Sequence, residues 1–176
     1  MAGVVSLEMD TGDIGELVVY LRKVEPDLAR QLPREMRHVA KTVVQEARSL
    51  IPSPRPLSNW GSWGERLDWT RQAKTGVVAT TDVRAGRGSK GQINLLAITQ
   101  KNPAGAVYEN AGRHAAPETG RGRTFIDNLN GKYGKPDKGR YLWLAVENNL
   151  GYLHNELQHV IDMWSEELER TLGKAA

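Results

Sequence analysis

Two long stretches of the chain place hydrophobic residues at every third or fourth position, which is the pattern of a helix with one buried face. The first begins near Leu28 and ends before Pro52, and it predicts an amphipathic helix of about 24 residues. Pro33 is expected to kink this helix or to mark a break near its first turns. The second runs from about Tyr141 to Leu172, and Gly173 marks its predicted end.

Short β-like runs lie between these helical stretches. Gly76–Arg84 and Gln92–Thr99 are separated by a basic, glycine-rich turn, and Ala104–Glu109 follows. Three runs at this spacing predict an antiparallel sheet. Nearer the start of the chain, the pattern predicts a first strand over Val4–Met9 and a short helix over Ile14–Val24.

The order of these elements predicts an α+β fold, in which a small antiparallel sheet is covered on one face by the long N-terminal and C-terminal helices. Residues 1–176 are expected to form a single domain, because this length is ordinary for one hydrophobic core. Two long irregular loops are expected within that domain, at about 52–70 and about 110–140.

Composition excludes several classes of protein. The sequence contains no Cys, so disulfide scaffolds, zinc ribbons, thiol nucleophiles and iron–sulfur sites are excluded. It has no apolar run of the roughly 18 residues that a transmembrane helix needs, and its first residues lack the features of a signal peptide. We therefore expect a soluble protein with no membrane partner.

The charges are distributed unevenly along the chain. Residues 71–140 contain 13 Lys and Arg against 5 Asp and Glu, whereas residues 141–176 contain 2 against 6. Opposite charges of this kind favour head-to-tail self-association or a polyanionic partner, although a solvated basic loop region is the simpler alternative. The candidate basic residues are Arg84, Arg87, Lys90, Arg113, Arg121 and Arg123, and the candidate acidic interface residues are Glu166 and Glu167.

Motifs that would indicate catalysis are weak. His154 and His159 are five residues apart, which does not suit two metal ligands on one helix face. The glycine-rich turn at 85–91 has the order Gly-Ser-Lys and precedes a strand, unlike a phosphate-binding loop. The carboxylates that hydrolysis would require are Asp68, Asp82, Glu109, Asp127 and Asp137, and their spacing does not distinguish them from ordinary turn residues. No catalytic, cofactor-binding or metal site is predicted, and a nucleic-acid-binding protein and a metal-dependent nuclease remain as alternatives.

Five local strings give the chain a resemblance to a known family. They are the segment around Asp10-Thr11-Gly12 that leads towards Leu17 and Leu21, the helix end Val43–Pro52, Ala106–Gly112, Thr124–Leu129 and Gly139–Glu147. In this order they resemble the small neck, or tail-completion, proteins of long-tailed (siphovirus-type) bacteriophages with a type 1 neck. In that family, a tyrosine–glutamate strand runs into a glycine turn at the position of Ala106–Gly112.

The resemblance implies a structural, non-enzymatic subunit of the head–tail junction, made in the bacterial cytoplasm and assembled into the virion. It implies a homo-oligomeric ring, six- or twelve-fold, that contacts head-closure, tail-terminator or tail-tube proteins and meets genomic DNA in the channel without sequence specificity. A tail terminator ring is the alternative within the virion. Trp60, Trp63 and Trp69 are candidate assembly anchors, or they cap the core of the domain itself.

Overall fold

The computed structural model describes residues 4–6, 23, 26–57, 69, 71–82, 94–113 and 120–175. Within them the chain is mostly helical with a small sheet, so the α+β class is confirmed. The elements in chain order are β1 (Val4–Ser6), α1 (Pro26–Val39), α2 (Lys41–Leu50), α3 (Arg71–Thr75), β2 (Val77–Asp82), β3 (Asn94–Gln100), α4 (Pro103–Asn110), α5 (Gly120–Tyr133), α6 (Leu142–Asn148) and α7 (Leu150–Ala175). The helix predicted over Ile14–Val24 lies outside the described residues, apart from the helical Lys23.

The sheet has the strand order β1-β3-β2. Lys101 donates its N–H to the carbonyl of Gly76 (2.8 Å), and Thr80 Oγ1 lies 3.4 Å from the carbonyl oxygen of Ala97. The sum of the two residue numbers is the same in both pairs, as it is for residues that face each other in two antiparallel strands with no bulge between them. The strands predicted over Gly76–Arg84 and Gln92–Thr99 are therefore confirmed within the described residues, where β3 ends at Gln100, and the first predicted strand is present at Val4–Ser6.

The strand predicted at Ala104–Glu109 is wrong, because this segment lies in helix α4. The side chain of Asn102 accepts the N–H of Gly105 (3.0 Å), and Pro103 occupies the first turn. An Asn cap followed by Pro is a helix start as well as a turn signal, and here the helix forms.

Both long helices are interrupted. Val39 ends α1 and Lys41 begins α2, with Ala40 between them, whereas Pro33 lies inside α1. The C-terminal stretch likewise divides into α6 and α7 at Asn149, and Gly173 lies within α7 instead of ending it. Ala40 donates its N–H to the carbonyl of Met36 (3.2 Å), and Leu153 donates to that of Asn149 (2.8 Å), so each interrupting residue is itself part of a helix-type bond. The hydrophobic period of the sequence continues past both residues and therefore does not reveal the interruptions.

The loop expected at about 110–140 is also wrong in part, because it contains helix α5. The glycines of this segment lower its helix propensity, yet Leu129 is fully buried and Gly134 ends the helix with a φ of 78°. In the loop expected at about 52–70, residues 52–57 and Trp69 lie outside helices and strands.

The contacts group the chain into two compact units, each made of three stretches. The first unit comprises residues 1–5, 42–78 and 98–148, and the second comprises 6–41, 79–97 and 149–176. In the second unit, α1 packs against α7 through buried residues that include Met36, Leu153 and Trp164. The single domain and the covering of one sheet face by two helices stay predictions.

In the first unit, the side chain of Gln100 is fully buried and joins several elements. Its Nε2 donates to the carbonyl of Ala73 (2.8 Å) and to the hydroxyl of Tyr141 (2.7 Å), while its Oε1 accepts the N–H of Asn102 (2.8 Å). A Cβ at Gly105 would overlap this amide. The space around Gln100 is therefore filled, and glycine is required beside it.

The substitution Gly105→Ala is expected to lower the free energy of unfolding by about 1–3 kcal/mol, because the added methyl displaces the buried Gln100 amide from its partners. Gly131→Ala is the matched control, since a Cβ there meets open space and alanine favours the helix. Urea unfolding of both variants checks this expectation. Equal stability of the two variants would contradict it.

Candidate functional site

The carboxylate of Glu109 is buried, with 3% of the residue exposed, at the end of α4. Its Oε2 accepts the N–H groups of Arg140 (3.0 Å) and Tyr141 (2.8 Å), and its Oε1 accepts that of Trp143 (3.0 Å). The N–H of Leu142 lies 3.1 Å from both oxygens. These amides open α6, where the first turn has no intrahelical acceptors and a negative charge is favoured.

The guanidinium of Arg140 completes this arrangement. Its Nη1 donates to the carbonyls of Tyr108 (2.8 Å) and Ala111, and its Nη2 donates to Asn130 Oδ1 (2.7 Å). Burial lowers the pKa of Arg140, and the neighbouring Tyr108 and Glu109 oppose that shift. Arg140 thus binds the end of α4 to the end of α5. We call Glu109, Arg140 and these partners the Glu109–Arg140 junction.

Sequence reasoning did not identify the junction. Glu109 was only one of several candidate acids for hydrolysis, and in the structure its oxygens are occupied by backbone amides, which does not suit an acid or base in catalysis. The junction joins two of the strings that carry the family resemblance, Ala106–Gly112 and Gly139–Glu147. The structure explains the glycine at 139, because a Cβ there would overlap the Glu109 carboxylate, but the sequence alone does not reveal this contact.

Three of the predicted basic residues lie on an exposed part of the first unit. Arg121 and Arg123 are in the first turn of α5, which contains no acidic residue, and Arg113 follows the turn after α4. In that turn Gly112 has a φ of 85°, and its Cα faces Ile126 and Asn130 on one flank of α5. Arg113, Arg121 and Arg123, which we call the basic surface, form no ion pair with any residue that the structure describes.

Other cations of this unit have partners. Lys132 Nζ donates to the carbonyl of Pro56 (3.2 Å), and Lys138 Nζ lies 3.7 Å from a carboxylate oxygen of Glu147 and 4.9 Å from the centre of the Trp143 ring. Their charges are partly satisfied within the chain, in contrast to those of the basic surface. Arg84, Arg87 and Lys90 lie outside the described residues.

The acidic residues of α7 divide into two groups. Glu167 is half-buried and pairs with Arg170 one turn later. Asp162, Glu166 and Glu169 are exposed at i, i+4 and i+7, which places them on one face of the helix. We call these three residues the acidic stripe. Of the two predicted interface acids, Glu166 belongs to this stripe and Glu167 does not.

Trp69 lies in the interior of the first unit, with 6% of the residue exposed. Its Nε1 donates to the carbonyl of Pro52 (3.0 Å), and its ring meets the edge of Tyr108 at 5.3 Å between centroids. This geometry fits the alternative in which the tryptophan caps the core of the domain. Trp60 and Trp63 lie outside the described residues.

Comparisons with protein-family models, curated proteins and solved structures find no significant match for the chain. Within the described ranges, no three His, Asp or Glu residues come together as a metal site. In the same part of the chain, every helix is too short or too polar to cross a membrane. Among the described residues, we take the basic surface and the acidic stripe as the candidate sites, because their exposed charges lack ion-pair partners there.

Replacing Glu109 with Gln is expected to lower the free energy of unfolding by about 2–4 kcal/mol, because an NH₂ group then faces amides that need an acceptor, and Arg140 loses the nearby negative charge that raises its pKa. Glu147→Gln is the control: this glutamate is exposed, and losing its pair with Lys138 should change stability by less than about 0.5 kcal/mol. Urea unfolding at neutral pH measures both. Similar losses in the two variants would show that Glu109 contributes no more to the free energy of unfolding than an exposed glutamate does.

Alkaline pH is expected to destabilise the first unit through its buried tyrosines. Burial raises the pKa of Tyr108 from 10.0 to about 12, with a contribution from Tyr133, and burial also raises the pKa of Tyr141. The unfolded chain loses these protons above about pH 10 while the folded chain keeps them, so stability is complete below about pH 10 and falls between about pH 10 and 12. Tyr108 alone would account for about 2–3 kcal/mol.

Urea midpoints measured across this range test the pH effect. Tyr108→Phe should flatten the alkaline decline, whereas Tyr152→Phe, which changes an exposed tyrosine, should leave its slope unchanged. A decline of the same slope in wild type and Tyr108→Phe would contradict the assignment.

Proposed function

We propose that the chain is a structural subunit of the phage head–tail junction, a neck or tail-completion ring that joins head-closure proteins to the tail. The observation that carries the proposal is the presence of two exposed surfaces of opposite charge on different compact units. A ring closed by head-to-tail contacts needs two different, complementary surfaces on each subunit. The basic surface and the acidic stripe meet that requirement.

The charges of the two units support this proposal. The first unit contains thirteen Lys and Arg against eight Asp and Glu, and the second contains eleven against thirteen. The small net charge of +3 therefore combines a basic unit with a slightly acidic one. Such a chain attracts its own copies in one orientation more than in others, because like surfaces repel.

The chemistry of the described residues supports a structural role over a catalytic one. The buried carboxylate of Glu109 and the guanidinium of Arg140 are occupied by backbone groups and hold helices together. The two strings that meet at this junction are among those that resemble the neck family. The family strand expected at Ala106–Gly112 is a helix in this chain, so the resemblance there is one of sequence order and not of local structure.

In this proposal the ring lies between head-closure proteins and a tail terminator or tail tube. The finer architecture, with the N-terminal and C-terminal helices covering one face of the sheet, belongs to the same proposal. The subunit would be made in the bacterial cytoplasm and retained in the virion. A tail terminator ring stays the alternative within the virion.

Nucleic-acid binding is a second candidate function, and the unpaired arginines of the basic surface favour it. Arginines without carboxylate partners are suited to phosphate contacts that do not depend on base sequence. In a ring they would meet the DNA that passes through the channel. Outside a virion, the same residues would make the protein a DNA-binding protein in its own right.

Electron microscopy of purified virions decorated with an antibody against this chain tests the proposal. We expect class averages to show label at the junction of head and tail, because a ring subunit is retained there. Virions decorated with an unrelated antibody are the control. Particles that contain no label would refute the virion role, and label along the tail or on the capsid would refute the neck assignment.

A further inference from the structure

We propose that the basic surface on α5 of one copy binds the acidic stripe on α7 of a second copy. This inference rests on the proposed function, since it names the two surfaces through which ring subunits would associate. Two observations support this contact: the charges and shapes of the two surfaces match, and both surfaces are present in the same chain.

The exposed face of α5 is bordered by its two arginines. Arg121 and Arg123 are two residues apart, so their side chains leave the helix about 160° apart. Between these directions lie the exposed Thr124, Asn128 and Gly131, none of which is bulky, and Asp127, which is the one carboxylate in α5. A second helix can lie along this shallow polar strip with its acidic side chains towards the arginine on either side, where charged hydrogen bonds would form.

The acidic stripe on α7 has the matching character. Asp162, Glu166 and Glu169 extend over about 10 Å of helix, and their like charges at i, i+4 and i+3 spacing repel one another. Arg170, the nearest cation of the described helix, pairs with Glu167. Asp162 accepts a hydrogen bond from the uncharged amide of Gln158 (2.8 Å), which does not neutralise its charge. The stripe thus retains an uncompensated negative charge.

A second copy accounts for both surfaces together. Binding of α5 to α7 brings the unpaired Arg121 and Arg123 to the carboxylates of the acidic stripe, whereas DNA would satisfy the arginines and leave the acidic stripe without a counter-charge. The contact joins two different surfaces, so after one contact the first copy keeps its acidic stripe free and the second keeps its basic surface free. Head-to-tail repetition of this contact extends the association into a ring or a chain of subunits, whereas two reciprocal contacts between the same two copies would close a dimer.

The test exchanges the charges of the two surfaces. Arg121→Glu with Arg123→Glu makes both surfaces of a copy acidic, and Glu166→Lys with Glu169→Lys makes both basic. We expect wild type to associate with rising concentration at about 50 mM salt and to dissociate at about 500 mM, as screening weakens the contact. Sedimentation velocity should show each double variant at least about tenfold weaker in association at low salt.

The decisive measurement is the equimolar mixture of the two double variants. Each copy then offers the charge that the other lacks, so association should return to wild-type strength, as it should in the quadruple variant. The control Arg34→Glu with Lys41→Glu changes exposed residues and the net charge by the same amount as the α5 variant, and it should associate like wild type. Circular dichroism verifies that every variant is folded; acidic residues in the first turn of α5 should favour that helix.

Four results would overturn the proposal. They are a wild type that is monomeric at low salt, a mixture that does not recover, a control as weak as the α5 variant, and an α5 variant that loses affinity for duplex DNA while its self-association is unchanged. The last result would make the basic surface a polyanion site. Label at the virion junction is measured independently, so the neck function can stand where this contact fails, and a contact that holds can accompany an unlabelled virion.

Discussion

The first unit depends on one buried charge, the carboxylate of Glu109, and on the backbone amides that surround it. A carboxylate removed from water is costly unless it is paired and fully hydrogen-bonded. Here the first amides of α6 supply the hydrogen bonds, and the Arg140 guanidinium, which forms no ion pair with the carboxylate, interacts with it only through a longer-range attraction. Because each of these groups needs the others, the ends of α4 and α5 and the start of α6 are fixed together, and loss of any one member leaves the rest unsatisfied.

This constraint extends beyond the junction through Tyr141. Its N–H is bound by Glu109 and its hydroxyl accepts a hydrogen bond from Gln100, whose amide also holds Ala73 and the start of α4. A continuous set of polar groups therefore connects the end of β3 to α5. Such a set specifies one arrangement of short helices that hydrophobic contacts alone would not distinguish. It also holds α5 in place, so that the arginines at its start are presented from a fixed element.

The sequence allowed part of this fold to be predicted. The spacing of Met36 and Leu153 with their neighbours correctly predicted buried helix faces, and alternation correctly predicted the strands around Thr80 and Ile98. The hydrophobic pattern wrongly predicted a strand at 104–109, because a short apolar run is compatible with either a strand or a helix. The preceding Asn-Pro pair does not decide between them, since it can mark a turn or the start of a helix. The pattern failed again at 120–133, where glycines conceal a helix. The Glu109–Arg140 contact spans thirty-one residues, and no local period reports a pairing of that range.

The charged surfaces follow a different rule from the interior. Inside the first unit, the carboxylate of Glu109, the Nη atoms of Arg140 and the amide of Gln100 have hydrogen-bond partners, which lowers the cost of burying them. On the surface water reduces that cost, so a chain can keep Arg121 and Arg123 in a helix turn that disfavours cations, and Glu166 beside two like charges, with small local losses. Those losses occur on two surfaces of opposite sign, and both would be relieved by one contact between copies.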